Sequence, residues 1–208
     1  MTTTRRVRRT LAGVGAAAAL ALVPTVAHAA TIVPIEYDAV GTSTIAKTDS
    51  TVALGPTTLR TDLDVDTGDF TGSLPLPGTR TNFKAAGFLP VQADVAFVEA
   101  APLTGHINLS GDIASVSSTA TYNVRLSNIK IAGFPTFTGT RCQTKVPVTI
   151  PVGTEPGVGF DLAEGGRLVG EYTIGDFANC GLNTGLINLL VPGPGNTVDI
   201  QVSNGVFL

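Results

Sequence analysis

Tryptophan is missing from this 208-residue chain, methionine occurs once, tyrosine three times, and histidine and cysteine twice each. Each shortage removes a class of function. Glycoside hydrolysis needs a pair of positioned carboxylates, whereas the acids here fall at exposed alternate positions or in turns, and aromatic platforms for sugar rings are scarce. A membrane-spanning β-barrel needs strands of about 9 to 11 residues and aromatic girdles. Most runs here read as shorter, proline-broken and tryptophan-free. A serine hydrolase needs a base oriented by a carboxylate, and the chain is nearly out of histidine and has no Gly-x-Ser-x-Gly elbow. No Gly-x-Gly-x-x-Gly opens a helix and no Gly-Lys-Ser/Thr follows a strand, which leaves nucleotide binding unsupported.

What is present begins with a leader. Arg5, Arg6, Arg8 and Arg9 form a charged region, Leu11 to Val23 a short apolar one, and Ala27-His28-Ala29 a small-residue cleavage signal, the three parts of a secretory signal peptide. Residues 1–29 are therefore read as a leader, with cleavage near Ala29-Ala30. The apolar part is too short for a transmembrane helix, which takes about 20 residues. Arg8-Arg9-Thr10-Leu11 also fits a twin-arginine export signal loosely, so the export route stays open.

The remaining residues, 30–208, suit one domain with a substantial core. Of 13 basic residues the leader takes four, which leaves nine against 16 acids. A net charge of about −7 argues against nucleic acid or anionic lipid as a partner, because both attract basic surfaces. His28 leaves with the leader, and His106 stays as the sole histidine. Two cysteines in an exported chain admit one intramolecular pairing in an oxidising compartment. A disulfide between Cys142 and Cys180 is expected.

From Thr31 onward the chain reads as β-branched, alternating runs separated by Gly, Pro, Asn and Asp. Thr31 to Val40, Thr42 to Lys47, Thr57 to Val65 and Phe70 to Leu74 come first. Leu59, Thr61, Leu63 and Val65 alternate with Asp62, Asp64 and Asp66, the period of a half-buried strand, and Thr67-Gly68 suits the turn of a hairpin. Leu74 to Thr81 reads as a loop, since two close prolines cannot both serve a central strand. It approaches a cell-wall sorting signal, but Arg80 stands where that signal needs glycine. Val91 to Phe97, Ile107 to Leu109, and Tyr122 to Leu126 alternate again. The parity then moves to Ile129 and Ile131, which places a bulge or turn at Ser127-Asn128.

Val146, Val148 and Ile150 share one face with Pro147 and Pro151 on the other, the mark of an edge strand. Gly166-Arg-Leu-Val-Gly-Glu-Tyr-Thr-Ile174 echoes the spacing of Gly68 to Leu76, a weak sign of a duplicated hairpin. The one helix signal is Thr184 to Leu190, where Leu182, Leu186, Leu189 and Leu190 fall at helical spacing. Asn183 or Thr184 would be its N-cap, and the turn Val191 to Thr197 its stop. The closing strand, Thr197 to Val202 and Gly205 to Leu208, ends apolar and is expected to dock. The fold class is all-β, an antiparallel β-sandwich of Ig-like or related Greek-key type with one short helix near the C-terminus; a partly closed β-barrel is the alternative.

The pieces Val65-Asp-Thr-Gly-Asp-Phe-Thr-Gly72, Cys142-Gln-Thr, Gly166 to Ile174, Asn179-Cys-Gly181 and Ile187-Asn-Leu-Leu-Val-Pro-Gly-Pro-Gly-Asn-Thr197 resemble small exported proteins of actinobacteria to which no activity is assigned. The likeness spans most of the chain after the leader. It implies export, a β-rich fold and a cysteine pair, and it brings no site residues.

His106 alternates with Ile107 and is read as a solvated strand residue. Asp62, Asp64, Asp66 and Asp69 depart from a calcium loop, with Thr67 and Ser73 at its glycine and glutamate positions. They are read as a solvated acidic face. Asn108-Leu-Ser110 fits a glycosylation sequon and carries little weight behind a leader of this kind. No catalytic residue, cofactor or metal is expected. The function expected is a secreted, non-enzymatic interaction or structural module of the medium or cell envelope, with an envelope pore or lipid-contacting β-protein as the alternative and a secreted hydrolase third.

Overall fold

A computed structural model describes residues 30–85, 87–110 and 113–208; the expected leader, residues 1–29, lies outside them. The elements run β1 (Ile32–Ile45), β2 (Ser50–Asp64), β3 (Asp69–Ser73), β4 (Thr79–Ala85), β5 (Leu89–Asn108), β6 (Ser115–Ile131), β7 (Phe134–Pro135), β8 (Gln143–Thr144), β9 (Val148–Gly153), β10 (Gly165–Ile174), β11 (Phe177–Ala178), α1 (Thr184–Leu190) and β12 (Gly193–Phe207). All pairings between them are antiparallel. The architecture is thus all-β with one short helix near the C-terminus.

The pairings form a ring: β1, β2, β3, β5, β6, β9, β10 and β12 follow one another, and β12 returns to β1. β4 lies on β5, β7 and β8 lie on β6, and β11 lies on β8. Alternation explains the ring's interior. On β2, Leu59, Thr61 and Leu63 are buried while Arg60 and Asp62 are exposed, and on β6 Val116, Ser118, Ala120, Tyr122, Val124 and Leu126 all point inward. Strands whose inner faces are apolar and outer faces polar bury one side only.

Several runs that read as separate strands are continuous. The runs Thr31 to Val40 and Thr42 to Lys47 merge into the 14-residue β1, which stops at Ile45, and Val91 to Phe97 and Ile107 to Leu109 merge into the 20-residue β5, which stops at Asn108. The alternation breaks at bulges, where the register shifts between Ala39 and Gly41 and twice between Glu99 and Thr104. A bulge interrupts the period without ending the strand. The expected bulge on β6 is present: Asn128 has φ +48°, and Leu126 and Ile129 are both buried on either side of it. The β2–β3 turn is also as expected, with Gly68 at φ +82°.

β9 corrects the edge-strand reading. It pairs with β6 along its length and meets β10 through Val169 and Gly153, so it is interior to the ring. Pro147 lies just outside the strand, and Pro151 is accommodated because the β10 side is joined by a single bridge, where a missing N–H costs little. Close approach there depends on Gly170, since a Cβ at that position would overlap the carbonyl oxygen of Pro151. Val146 lies outside the strand and is exposed, not on the face of Val148 and Ile150.

Three further readings change. β4 occupies the end of what reads as a loop, and Leu74 and Leu76 in that segment are buried. Gly193 to Thr197 is not a turn but the start of β12. The C-terminal Val206, Phe207 and Leu208 remain exposed, although the Leu208 N–H donates to the Pro34 carbonyl.

Candidate functional site

Hairpin geometry brings the acidic row to one end of the ring. The Asp64 carboxylate accepts the N–H groups of Asp66 at 2.9 Å and Thr67 at 3.4 Å, and Asp66 accepts the Thr31 N–H at 3.0 Å. These carboxylates serve their own turn and the backbone that leads into β1. Among the described residues no group of three His, Cys, Asp or Glu side chains is placed to hold a metal ion.

The next member of the row, Asp69, faces His106. β3 pairs with β5 so that Asp69 stands opposite His106, and Asp69 Oδ1 lies 2.9 Å from His106 Nδ1. β5 pairs with β6 so that His106 in turn stands opposite Ser117. Carboxylate, imidazole and hydroxyl thus occupy one cross-strand row on the outer face, along an open groove that continues over Pro151, Gly153, Val169 and Glu171. This row was invisible in the sequence, because it depends on register between three strands, and only the Thr67-Gly68 turn hinted at the first pairing.

The row falls short of nucleophilic catalysis. Ser117 makes no hydrogen bond to the imidazole among the described residues, and it sits mid-strand, paired with His106 on one side and Gly153 on the other. Backbone N–H groups in such a strand are engaged in the ladder and are not free to converge on an oxyanion. His106 and Asp69 are both well exposed, as a polar-face residue and its partner should be. An exposed pair of this kind is worth little to stability.

Two cavities lie inside the ring. One, of about 70 Å³, is walled by residues such as Ile35, Leu63, Leu103 and Val202, and Tyr122. The other, of about 80 Å³, lies towards α1 among Val52, Val95, Leu126, Tyr172 and Ile187. Pockets for small organic ligands are typically about 300 to 1,000 Å³ with a few convergent polar groups. Neither cavity approaches that.

Near α1 the structure is pinned by buried polar groups. Cys142 and Cys180 form the expected disulfide, and both are fully buried beside the β8–β11 pair. Asn188 holds the Phe177 backbone from α1 with bonds of 2.7 and 3.1 Å. Asn196 is buried and satisfies three backbone groups: its Nδ2 donates to the carbonyls of Tyr172 at 3.1 Å and Gly193 at 2.8 Å, and its Oδ1 accepts the Ala46 N–H at 3.2 Å. The β10–β12 register shifts between Tyr172 and Ile174, so the asparagine supplies the partners that the ladder lacks. The segment from Val191 to Thr197 thereby gains a structural meaning.

α1 forms where the leucine spacing placed it, with a different face inward. Ile187 is buried, whereas Leu182, Leu186 and Leu189 are exposed. Asn183 is the N-cap residue but makes no capping bond; its Nδ2 donates to the Phe137 carbonyl. No helix among the described residues is long and apolar enough to cross a membrane. No protein-family model, curated protein or solved structure matches the chain.

Proposed function

We propose that the protein is a secreted, non-enzymatic module that acts through its surface in the medium or at the cell envelope. The observation that supports this most is the filled interior, whose cavities of about 70 and 80 Å³ have apolar walls. The polar groups that could do chemistry lie instead on an open outer face. A stapled sheet with one disulfide suits an oxidising exterior.

The pore reading draws support from strand length, since 14 to 20 residues exceed what a bilayer requires. Polarity opposes it. A spanning barrel is apolar outside and polar within, whereas here the inward side chains are mostly apolar and the outward ones mostly polar, with Thr, Asp, Glu and Arg among them.

The test is recovery and turnover. The protein should appear in culture medium or loosely on the envelope, stay soluble without detergent, and show no turnover on ester, peptide and glycoside panels. Turnover abolished by His106→Ala or Ser117→Ala would transfer the reading to a hydrolase, and conductance steps in planar bilayers would transfer it to a pore.

A further inference from the structure

The helix end of the ring carries apolar side chains that the core does not use. Ile187 and Leu190 of α1 pack against the core and Leu186 sits at the rim of the cavity beneath it, while Leu189 turns outward, with Leu182 just ahead of the helix 91% exposed. Three phenylalanines stand at the same end, Phe137 at 87%, Phe88 at 76% and Phe134 at 75% exposure. With Leu182 they are the four most exposed large apolar side chains among the described residues.

Topology places these four together. Phe88 lies in the β4–β5 turn and Phe134 just past the β6–β7 turn, and the Ala132 N–H donates to the Pro90 carbonyl at 2.8 Å, which sets the two turns side by side. The Asn183 side chain donates to the Phe137 carbonyl at 3.2 Å and seats that segment against α1.

Charge is segregated along the same axis. Lys47, Lys84, Lys130 and Arg141 are exposed around this end, and none makes an ion pair among the described residues. Of the acids nearby, Asp176 is paired with Lys145 and Asp94 with Arg80, and the exposed Asp49 beside Lys47 offsets that lysine, so the excess positive charge rests on Lys84, Lys130 and Arg141. The far end holds Asp62, Asp64, Asp66, Asp69, Asp161 and Glu164. An acidic chain therefore presents a basic, phenylalanine-tipped end that its overall balance conceals.

We infer that the helix end docks on an anionic lipid bilayer, with Phe88, Phe134, Phe137 and Leu182 entering the interfacial layer and Lys84, Lys130 and Arg141 facing lipid phosphates. This rests on the reading of the protein as an extracellular contact module and names its partner. The apolar groups project from separate tips and do not line a groove. A fluid interface accepts separate tips, whereas a protein partner would need a matching contour at interior packing density. Apolar insertion combined with basic charge is the two-signal arrangement that gives stable peripheral binding.

The test uses protein purified from culture medium, its N-terminus read by mass spectrometry, and sedimentation with vesicles of phosphatidylglycerol and phosphatidylcholine. Binding should be strong to the mixed vesicles, weak to phosphatidylcholine alone, and reduced by salt. Exchanging Phe134, Phe137 and Leu182 together for serine should weaken it roughly a hundredfold or more, by the cost of withdrawing large apolar side chains from the bilayer. Lys84→Glu with Lys130→Glu should remove the preference for anionic lipid, and Asp64→Asn at the far end should change nothing. Circular dichroism of each variant separates lost docking from lost folding. Absence of binding to the mixed vesicles, or binding unchanged in the serine variant, overturns the proposal. So does a wild-type dimer that the serine variant dissolves, which would make this end an interface between copies. Those outcomes leave the non-enzymatic reading standing, since turnover alone decides it.

Discussion

The phenolic hydroxyl of Tyr122 donates a 2.7 Å hydrogen bond to the backbone carbonyl of Leu74, 48 residues away in sequence. Tyr122 is almost fully buried on β6, and Leu74 begins the proline-rich passage between β3 and β4. That bond lets a loop carbonyl enter the core without losing its partner. Tyr122→Phe keeps the edge-on contact with Phe97 and leaves the carbonyl unpaired. The expected loss is about 1 to 3 kcal/mol, read from the urea midpoint. A change of a few tenths would mean that the loop carbonyl reaches water.

The disulfide joins residues 38 apart and closes the segment that carries β8, β9, β10 and β11. Loop-closure entropy for that length gives about 4 kcal/mol of stabilisation, a large share of a typical total of about 5 to 15 kcal/mol. Cys142→Ser should unfold at much lower denaturant. The native protein should titrate no free thiol, and its intact mass should fall two hydrogens below the dithiol form. Thiols reacting in the folded protein would contradict the pairing.

Asn196 bridges the β1–β2 turn, β10 and the start of β12 through the three bonds at Ala46, Tyr172 and Gly193. Asn196→Ala should cost about 3 kcal/mol or more, because each buried group left unpaired carries its own desolvation penalty. Asn196→Asp should be at least as damaging at neutral pH, since a carboxylate cannot donate to two carbonyls. If aspartate restores most of the stability lost by alanine, packing and not hydrogen bonding is what the site supplies.

Period-two alternation made most inner faces legible, and the local turn signals made the Gly68 turn and the Asn128 bulge legible, because both depend on residues a few positions apart. What stayed hidden depends on partners far along the chain. Pro147 and Pro151 suggest an edge, but ring closure through Val169 and Gly153 gives β9 a second neighbour. The leucine spacing of α1 marks a helix without saying which apolar face meets the core, since both faces are apolar. His106 was recognisable as a polar-face residue, yet its neighbours Asp69 and Ser117 come from register alone. Segregation of charge between the two ends of the ring is likewise invisible to a net total.

All three tyrosines are buried with engaged hydroxyls, which sets an alkaline limit on the fold. Tyr37 donates to the Leu162 carbonyl at 3.0 Å, and burial, followed by the nearby Asp161 charge, has its pKa pushed up to about 12. Burial, with Glu99 as the lesser cause, raises Tyr122, and burial raises Tyr172 against the opposing effect of its hydrogen bond with Ser43. In the unfolded chain tyrosine ionises near pH 10. Between about pH 10 and 12 the unfolded state therefore holds fewer protons than the folded one, and stability falls as pH rises. The contribution is complete below pH 10 and is lost as pH climbs through the raised folded values. Tyrosinate absorbance should accordingly appear in one cooperative step together with loss of the β-sheet circular dichroism signal. Tyrosinate forming near pH 10 while the sheet signal persists would show that these hydroxyls reach solvent in the folded protein.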